Sequence, residues 1–389
     1  MTSTAASPTS IRLADRTTLG VGGPAARWAS VPDAEALRDL LQETRDGQLL
    51  VLGGGSNLLV ADAGFDGLVL SIDDRRTEFT PLDNGSVGVS AGAGVDWDEL
   101  VATTVAEGLA GLECLSGIPG RVGAAPIQNI GAYGQELATT VETVQIVDRA
   151  TGATRVLSAA ACGFGYRTSA FKRARRGGDL GRQRGDLGPP PIVTRVDLRL
   201  APRPTGRARY GDLLRHLRLD GEAEVPLAEL RAAVLAVRRS KAMVLDPSGT
   251  GPDARSAGSF FLNPIVAAAD ADRVADVARR RGTERTLPRY PADGPPAERR
   301  VKLPAAWLIE EAGFARGHRR GRAAISSRHT LALVTHEGAR AAEVVDLARE
   351  IRQRVRRVFG ISLEPEPTFV GFETPTDQLL DAEPGTSVR

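Results

Sequence analysis

Residues 109–134 read LAGLECLSGIPGRVGAAPIQNIGAYG, and no other stretch narrows the possible folds so far: six glycines and two prolines stand among almost no charge. So much glycine with so little charge implies a loop pressed against a ligand. Glycine lets backbone amides approach a bound group where a side chain would block them, and successive N–H groups in such loops form concavities that hold anions. A pyrophosphate-bearing cofactor is the natural occupant. A glycine-rich turn cluster in an ordinary sheet protein is the alternative.

A second glycine knot, Gly53, Gly54, Gly55, Ser56 and Asn57, follows the apolar run Leu49 to Leu52 and precedes Leu58 to Val60. The pattern is strand, tight polar turn, strand. Its amides and two short polar side chains suit phosphate oxygens, while a plain hairpin turn accounts for the same residues equally well. Neither knot opens an amphipathic helix as G-x-G-x-x-G with an acidic residue about 20 positions on, and G-x-x-x-x-G-K-[ST] is missing. A dinucleotide held without those fingerprints points to flavin.

In chain order the two knots are joined by GYRTSAFK (165–172), RYGDL (209–213), AGSFFLNP (257–264), VKLPAAWLIEEAG (301–313) and FGISLEPE (359–366). This ordered set resembles the UDP-N-acetylenolpyruvoylglucosamine reductase (MurB) family from about Thr17 to Gly371. The resemblance implies an α+β fold. An FAD-binding domain of the vanillyl-alcohol-oxidase (PCMH) type, in two subdomains, precedes a C-terminal α+β substrate-binding domain. Expected boundaries are an N-terminal extension (1–16), the FAD domain (17–205), the substrate domain (206–371) and a flexible tail (372–389).

Composition is compatible with this. The 389 residues are 42% hydrophobic and 25% charged, which suits a globular protein of two or three domains, and a formal charge of +2 creates no global field for nucleic acid. Two cysteines, Cys114 and Cys162, are too few for a disulfide framework and have no zinc spacing. No metal is expected. The first residues lack a signal-peptide pattern and no apolar run approaches the ~20 residues of a membrane span, so a cytoplasmic protein without membrane insertion is expected. A monomer is the expected state, though nothing in the sequence fixes it. Helical spacing at Leu227, Leu230, Val234 and Val237, and again at Val344, Leu347, Ile351, Val355 and Phe359, predicts two helices, with a strand over 330–335 between them. Residues 173–191, basic and rich in Gly and Pro, read as a mobile surface loop on which the resemblance is silent.

The activity that the resemblance implies is reduction of an enolpyruvyl ether on a UDP-sugar, in peptidoglycan precursor synthesis, by NADPH through non-covalent FAD. Hydride would reach the terminal vinyl carbon and charge would gather on the conjugated carboxylate. Arg167 maps onto the arginine that stabilises that charge, Ser259 onto the proton donor to the second carbon, and Glu366 onto the catalytic glutamate. Without the family, these read as a surface arginine, a turn serine and a solvated glutamate. FAD contacts are expected from Gly53, Gly54, Gly55, Ser56 and Asn57, from Ile118, Pro119, Gly120, Gly123, Asn129, Gly131 and Ala132, and more weakly from Arg238. Substrate contacts are expected from Tyr210 and Lys241 at the diphosphate, and from Asn263, Tyr290 and Lys302. Tyr210 suggests the branch whose tyrosine loop closes over substrate. Pro367 and Thr368 depart from the common Val-Arg pair, which puts one substrate contact in doubt. The competing readings are another FAD oxidoreductase on the same fold and a binding module that has lost turnover.

Overall fold

The structure, a computed structural model, describes residues 11–44, 48–175, 190–245, 251–292, 300–383, 385, 386 and 388. The central part of the basic loop expected at 173–191, residues 176–189, lies outside the described residues, as do residues 1–10 of the expected N-terminal extension. The chain divides into two compact units. The first holds residues 26–55 and 66–244, and the second holds 11–25, 56–65 and 245–389.

In the first unit, β-branched alternation builds an antiparallel sheet in the order Thr154–Ser158, Val141–Val147, Ile192–Pro202, Val87–Gly92, Thr77–Pro81. Alternate side chains of a strand face opposite ways. Val144, Ile146, Val196 and Leu198 therefore share a buried face with Trp97, Leu112 and Leu115. Helix Trp97–Ala106 starts where the Asp96 carboxylate accepts from the amides of Asp98 and Glu99 at 2.9 and 3.1 Å. The Trp97 indole N–H then donates to the Leu115 carbonyl at 3.1 Å, tying this helix to the glycine-rich stretch. Helix Ala34–Glu43 is capped in the same way by Asp33 and covers the parallel strands Leu49–Val51 and Phe65–Ile72 through Leu37, Leu40 and Leu41.

Helix Leu227–Ser240 belongs to this first unit, because Leu230, Val234 and Val237 pack with Cys114, Ala208 and Leu213. The compact division thus falls at 244/245, where the sequence reading places it at 205/206. An amphipathic face reveals that a helix is packed but not against which core.

The second unit is organised around helix Ala341–Phe359, whose Val344, Leu347, Ile351 and Val355 are fully buried with Phe260, Phe261 and Trp307. One antiparallel sheet runs Ser256–Ser259, Ala332–Thr335, Ala323–Ile325, Arg319–Arg320, and another runs Ile265–Ala267, Arg300–Lys302, Tyr290–Pro291. The tail expected to be flexible from 372 is corrected: helix Thr376–Asp381 buries Leu379 and Leu380 in this core. Two adjacent leucines were the signal, overlooked among polar neighbours. No described helix is long and apolar enough to cross a membrane.

Candidate cofactor and substrate site

The two glycine knots meet. A Cβ placed on Gly54 would stand 2.7 Å from the Cα of Gly120, and one on Gly53 would be 3.3 Å from the Cβ of Ala124. Only glycine at 54 allows that backbone approach. Gly55 and Gly120 both adopt positive φ, at 64° and 131°. Among the described residues, the amides of Gly53, Gly54 and Gly55 have no hydrogen-bond partner. Consecutive unpaired N–H groups beside a glycine seam form a cradle for an anion. The hairpin alternative for this knot fails: Leu49–Val51 pairs with Phe65–Ile72, whereas Leu58–Val60 pairs with Thr368–Val370, so the flanking strands never pair with each other.

Within the opening stretch the expected cofactor residues separate into two kinds. Ile118, Pro119, Gly120, Gly131 and Ala132 remain partly exposed. Gly123 instead donates its amide to the Ala93 carbonyl at 3.0 Å and has no room for a side chain, since a Cβ would stand 2.5 Å from the Cβ of Ala93. Asn129 is fully buried. Its amide nitrogen donates to Glu136 at 3.0 Å and to the Gly165 carbonyl at 3.1 Å, and its side-chain oxygen accepts from the Ala138 amide at 2.9 Å. That side chain braces the chain from within.

The brace leads to Arg167. Asn129 holds Gly165, and Gly165 and Thr168 exchange hydrogen bonds at 3.1 Å around a tight turn in which Arg167 has φ 52°. A non-glycine residue in that region is strained by about 1–3 kcal/mol and persists where its surroundings impose it. The guanidinium donates to the carbonyls of Asn129 and Gly131 and lies 5.6 Å over the Tyr166 ring, while the Lys172 ammonium donates to the Arg167 carbonyl at 3.0 Å. Ser169 anchors the same segment to the Ile127 carbonyl. GYRTSAFK is thereby docked on the glycine-rich stretch.

Tyr210 is 45% exposed and packs edge-on against Tyr133, with ring centroids 5.5 Å apart. Lys241 joins the same corner through an ion pair with Asp212, in the first turn of helix Gly211–Leu217. Tyr133 and Gly134 both have positive φ, at 50° and 83°, and turn the hairpin that pairs Gly131–Ala132 with Gln135–Glu136. Burial pushes the Tyr133 phenol up to about 12. Arg238, expected near the cofactor, is 6% exposed. Its Nε donates to the Gly117 carbonyl at 3.1 Å and its Nη2 to that of Met243 at 2.8 Å. It supports the glycine-rich stretch from within the unit, as does Asp98, which accepts from the Gly117 amide and from both terminal nitrogens of Arg231. Burial raises the Asp98 carboxyl, but these bonds outweigh it and hold the group below the usual carboxylate range. Sequence reasoning missed Asp98, Arg231 and Tyr133, since no local pattern names the partner of a charge 133 positions away.

In the second unit, Ser259 and Glu366 are brought together. The Phe260 carbonyl accepts from the Glu366 amide at 2.8 Å, and Leu262 donates to the Glu364 carbonyl at 2.9 Å. Ser259, one residue earlier, ends a strand that bulges at Gly258, where φ is 70°. Bulges re-aim side chains beside functional sites. Among the described residues the Ser259 hydroxyl has no hydrogen-bond partner, and the residue is partly exposed. Asn57 donates its side-chain amide to the Glu366 carbonyl at 3.3 Å and accepts the Thr368 amide at 2.9 Å. Thr368 is thus a strand residue beside Leu58, and the compact division passes between Gly55 and Ser56. Lys302 pairs across strands with Tyr290 on one side and Ile265 on the other. Asn263, two residues before Ile265, spends its side-chain oxygen on the Ala305 amide at 2.9 Å. Among the described residues there is no His, Cys, Asp and Glu cluster able to hold a metal.

Comparison with known proteins places these arrangements in context. Residues 251–370 match the family described as UDP-N-acetylenolpyruvoylglucosamine reductase, C-terminal domain, and residues 26–158 match the FAD binding domain family. The chain is similar to the UDP-N-acetylenolpyruvoylglucosamine reductase of Thermobifida fusca, with 50% identity over 93% of this chain and 97% of that one. It is also similar to that of Saccharopolyspora erythraea, with 46% identity over 94% and 96%. The crystal structure of UDP-N-acetylenolpyruvylglucosamine reductase from Thermus caldophilus superposes with a TM-score of 0.57 at 28% identity, covering 93% of this chain and 98% of that one.

Proposed function

The chain belongs to the UDP-N-acetylenolpyruvoylglucosamine reductase family, and from that premise we propose that it reduces the enolpyruvyl ether of UDP-N-acetylglucosamine to UDP-N-acetylmuramate. FAD is the cofactor and NADPH the electron donor. A bound FAD would supply hydride chemistry between NADPH and the vinyl group of the substrate. The residues present suit it, because the unpaired Gly53 to Gly55 amides offer consecutive donors for a pyrophosphate.

Arg167 meets the charge that develops on the substrate carboxylate. Its guanidinium is preset by the Asn129 and Gly131 carbonyls, so little reorganisation accompanies the reaction. The Ser259 hydroxyl gives its proton to the carbon bearing the ether oxygen, completing the addition of hydride and proton across the double bond. Glu366 positions the serine hydroxyl, whose proton is restored from solvent after the transfer. Tyr210 and Lys241 hold the diphosphate, Tyr210 as part of a tyrosine loop that covers the substrate. Asn263, Tyr290 and Lys302 add contacts from the second unit.

The observation that carries the reading is the pairing of 260–262 with 364–366, which gives an unengaged serine hydroxyl and a glutamate one shared segment. The test is NADPH oxidation by FAD-loaded protein with and without UDP-N-acetylglucosamine enolpyruvate. Oxidation that depends on that substrate is expected, and none above background would refute the assignment.

A further inference from the structure

The hairpin that pairs Gly131–Ala132 with Gln135–Glu136 is fastened at its base. The Gln135 side-chain oxygen accepts from the Cys114 amide at 2.8 Å, and its side-chain nitrogen donates to the buried Glu113 carboxylate at 2.9 Å. Glu113 in turn accepts from the Gly111 amide at 2.7 Å, so the hairpin is tied to the glycine-rich stretch through side chains that leave little play.

Its tip, Tyr133 and Gly134, receives two consecutive residues of the RYGDL segment. A Cβ placed on Gly134 would stand 3.1 Å from the Arg209 Cδ, so the Arg209 stem lies over this glycine, while the Tyr210 ring meets Tyr133 edge-on. Edge-to-face rings at this separation attract beyond the area they bury. Tyr133 also packs against the cluster that holds Leu213, Leu230, Val234 and Val237, which lie on the helix that starts directly after Tyr210 and on the helix that ends at Ser240, before Lys241. Its hydroxyl neighbours the buried Arg238 guanidinium, itself held by the Gly117 and Met243 carbonyls. Tyr133 is therefore the fixed ring of the pair, and Tyr210 is the exposed one.

We propose that Tyr133 is a positioning residue for substrate binding: with Gly134 it forms the seat that holds Tyr210 where it meets the diphosphate, a role that rests on the assignment of Tyr210 given above. One hairpin then serves two groups of the site, since its Gly131 carbonyl presets Arg167 and its tip presets Tyr210.

The test is a double-mutant cycle on the FAD-loaded, full-length protein, read as binding of UDP-N-acetylglucosamine enolpyruvate through the flavin spectrum without NADPH. Tyr133→Leu keeps apolar bulk but loses the ring and is expected to weaken binding about three- to tenfold, whereas Tyr133→Phe keeps the ring and stays within about twofold of the parent protein. In a Tyr210→Ala background, Tyr133→Leu is expected to have no further effect. Gly134→Ala presses on the Arg209 stem and reaches Tyr210 by a second route, so it too should weaken binding only while Tyr210 is present, and it decides the matter if Tyr133→Leu fails to fold. A merely structural role would lower affinity equally in both backgrounds. Additive effects, or a Tyr133→Phe variant as weak as Tyr133→Leu, overturn the proposal. Loss of substrate-dependent NADPH oxidation in the parent protein would refute the assigned activity alone, because the binding cycle needs no turnover; a parent protein that does not bind this substrate overturns both.

Discussion

Gly54 and Gly120 touch backbone to backbone, so closely that a Cβ on Gly54 would reach 2.7 Å from the Gly120 Cα. Two knots 66 positions apart, each ambiguous alone, form one seam beside three unpaired amides. Gly54→Ala forces that seam open at a cost of about 1–3 kcal/mol. FAD affinity is expected to fall by about tenfold or more. Flavin content after purification and titration of the apoprotein measure it, and a variant that binds FAD normally would separate the seam from cofactor binding.

Ser259→Ala removes an unengaged hydroxyl without opening the core. Substrate binding and flavin reduction by NADPH should persist, while reoxidation of the flavin by substrate slows by about 10²–10⁴. Stopped-flow absorbance resolves the two half-reactions. Fast reoxidation would remove Ser259 from the role of proton donor.

Arg167 and Asn129 should respond differently to substitution. Arg167→Lys keeps a charge but not the fork held by two carbonyls, so kcat should drop while FAD content and the thermal midpoint stay close to those of the parent protein. Asn129→Ala strands the Ala138 amide, at about 1–3 kcal/mol for a buried group left unpaired, and leaves the Gly165 carbonyl with the Thr168 amide alone. It should lower both stability and kcat. Equal thermal midpoints for the two variants would contradict this division of roles.

The Asp98 carboxyl, held low by Arg231 and the Gly117 amide against the cost of its burial, links stability to pH. A depressed carboxylate contributes fully above its unfolded value near 3.8, and the contribution is lost as pH falls through the lower folded value. Asp98→Asn should therefore destabilise the protein at neutral pH and flatten the acid limb of its stability profile below about pH 4. Denaturant midpoints measured from neutral to acid pH give the comparison, and parallel acid limbs would exclude Asp98 as a contributor.

Leu380 is fully buried in a segment that composition alone makes look frayed. Leu380→Ala should cost about 2–5 kcal/mol if helix Thr376–Asp381 is part of the core. Urea unfolding measures this directly, and a change below a few tenths would return the segment to a loose tail.

Local chemistry was legible in the residues themselves. The glycine knots, the helical spacing of 227–237 and 344–359, and the ordered blocks around Arg167, Ser259 and Glu366 are short-range patterns, and each follows from backbone freedom or side-chain period. Tertiary structure decided the partnerships. It sent the strands on either side of Gly53 to Asn57 into separate sheets, gave helix Leu227–Ser240 to the first unit, and turned Asn129 and Arg238 into internal supports. It also set Glu366 against the residues that follow Ser259. Those outcomes depend on which distant groups satisfy a buried donor or fill a core. Periodicity along the chain records that a residue is buried, while its partner is chosen by packing in three dimensions.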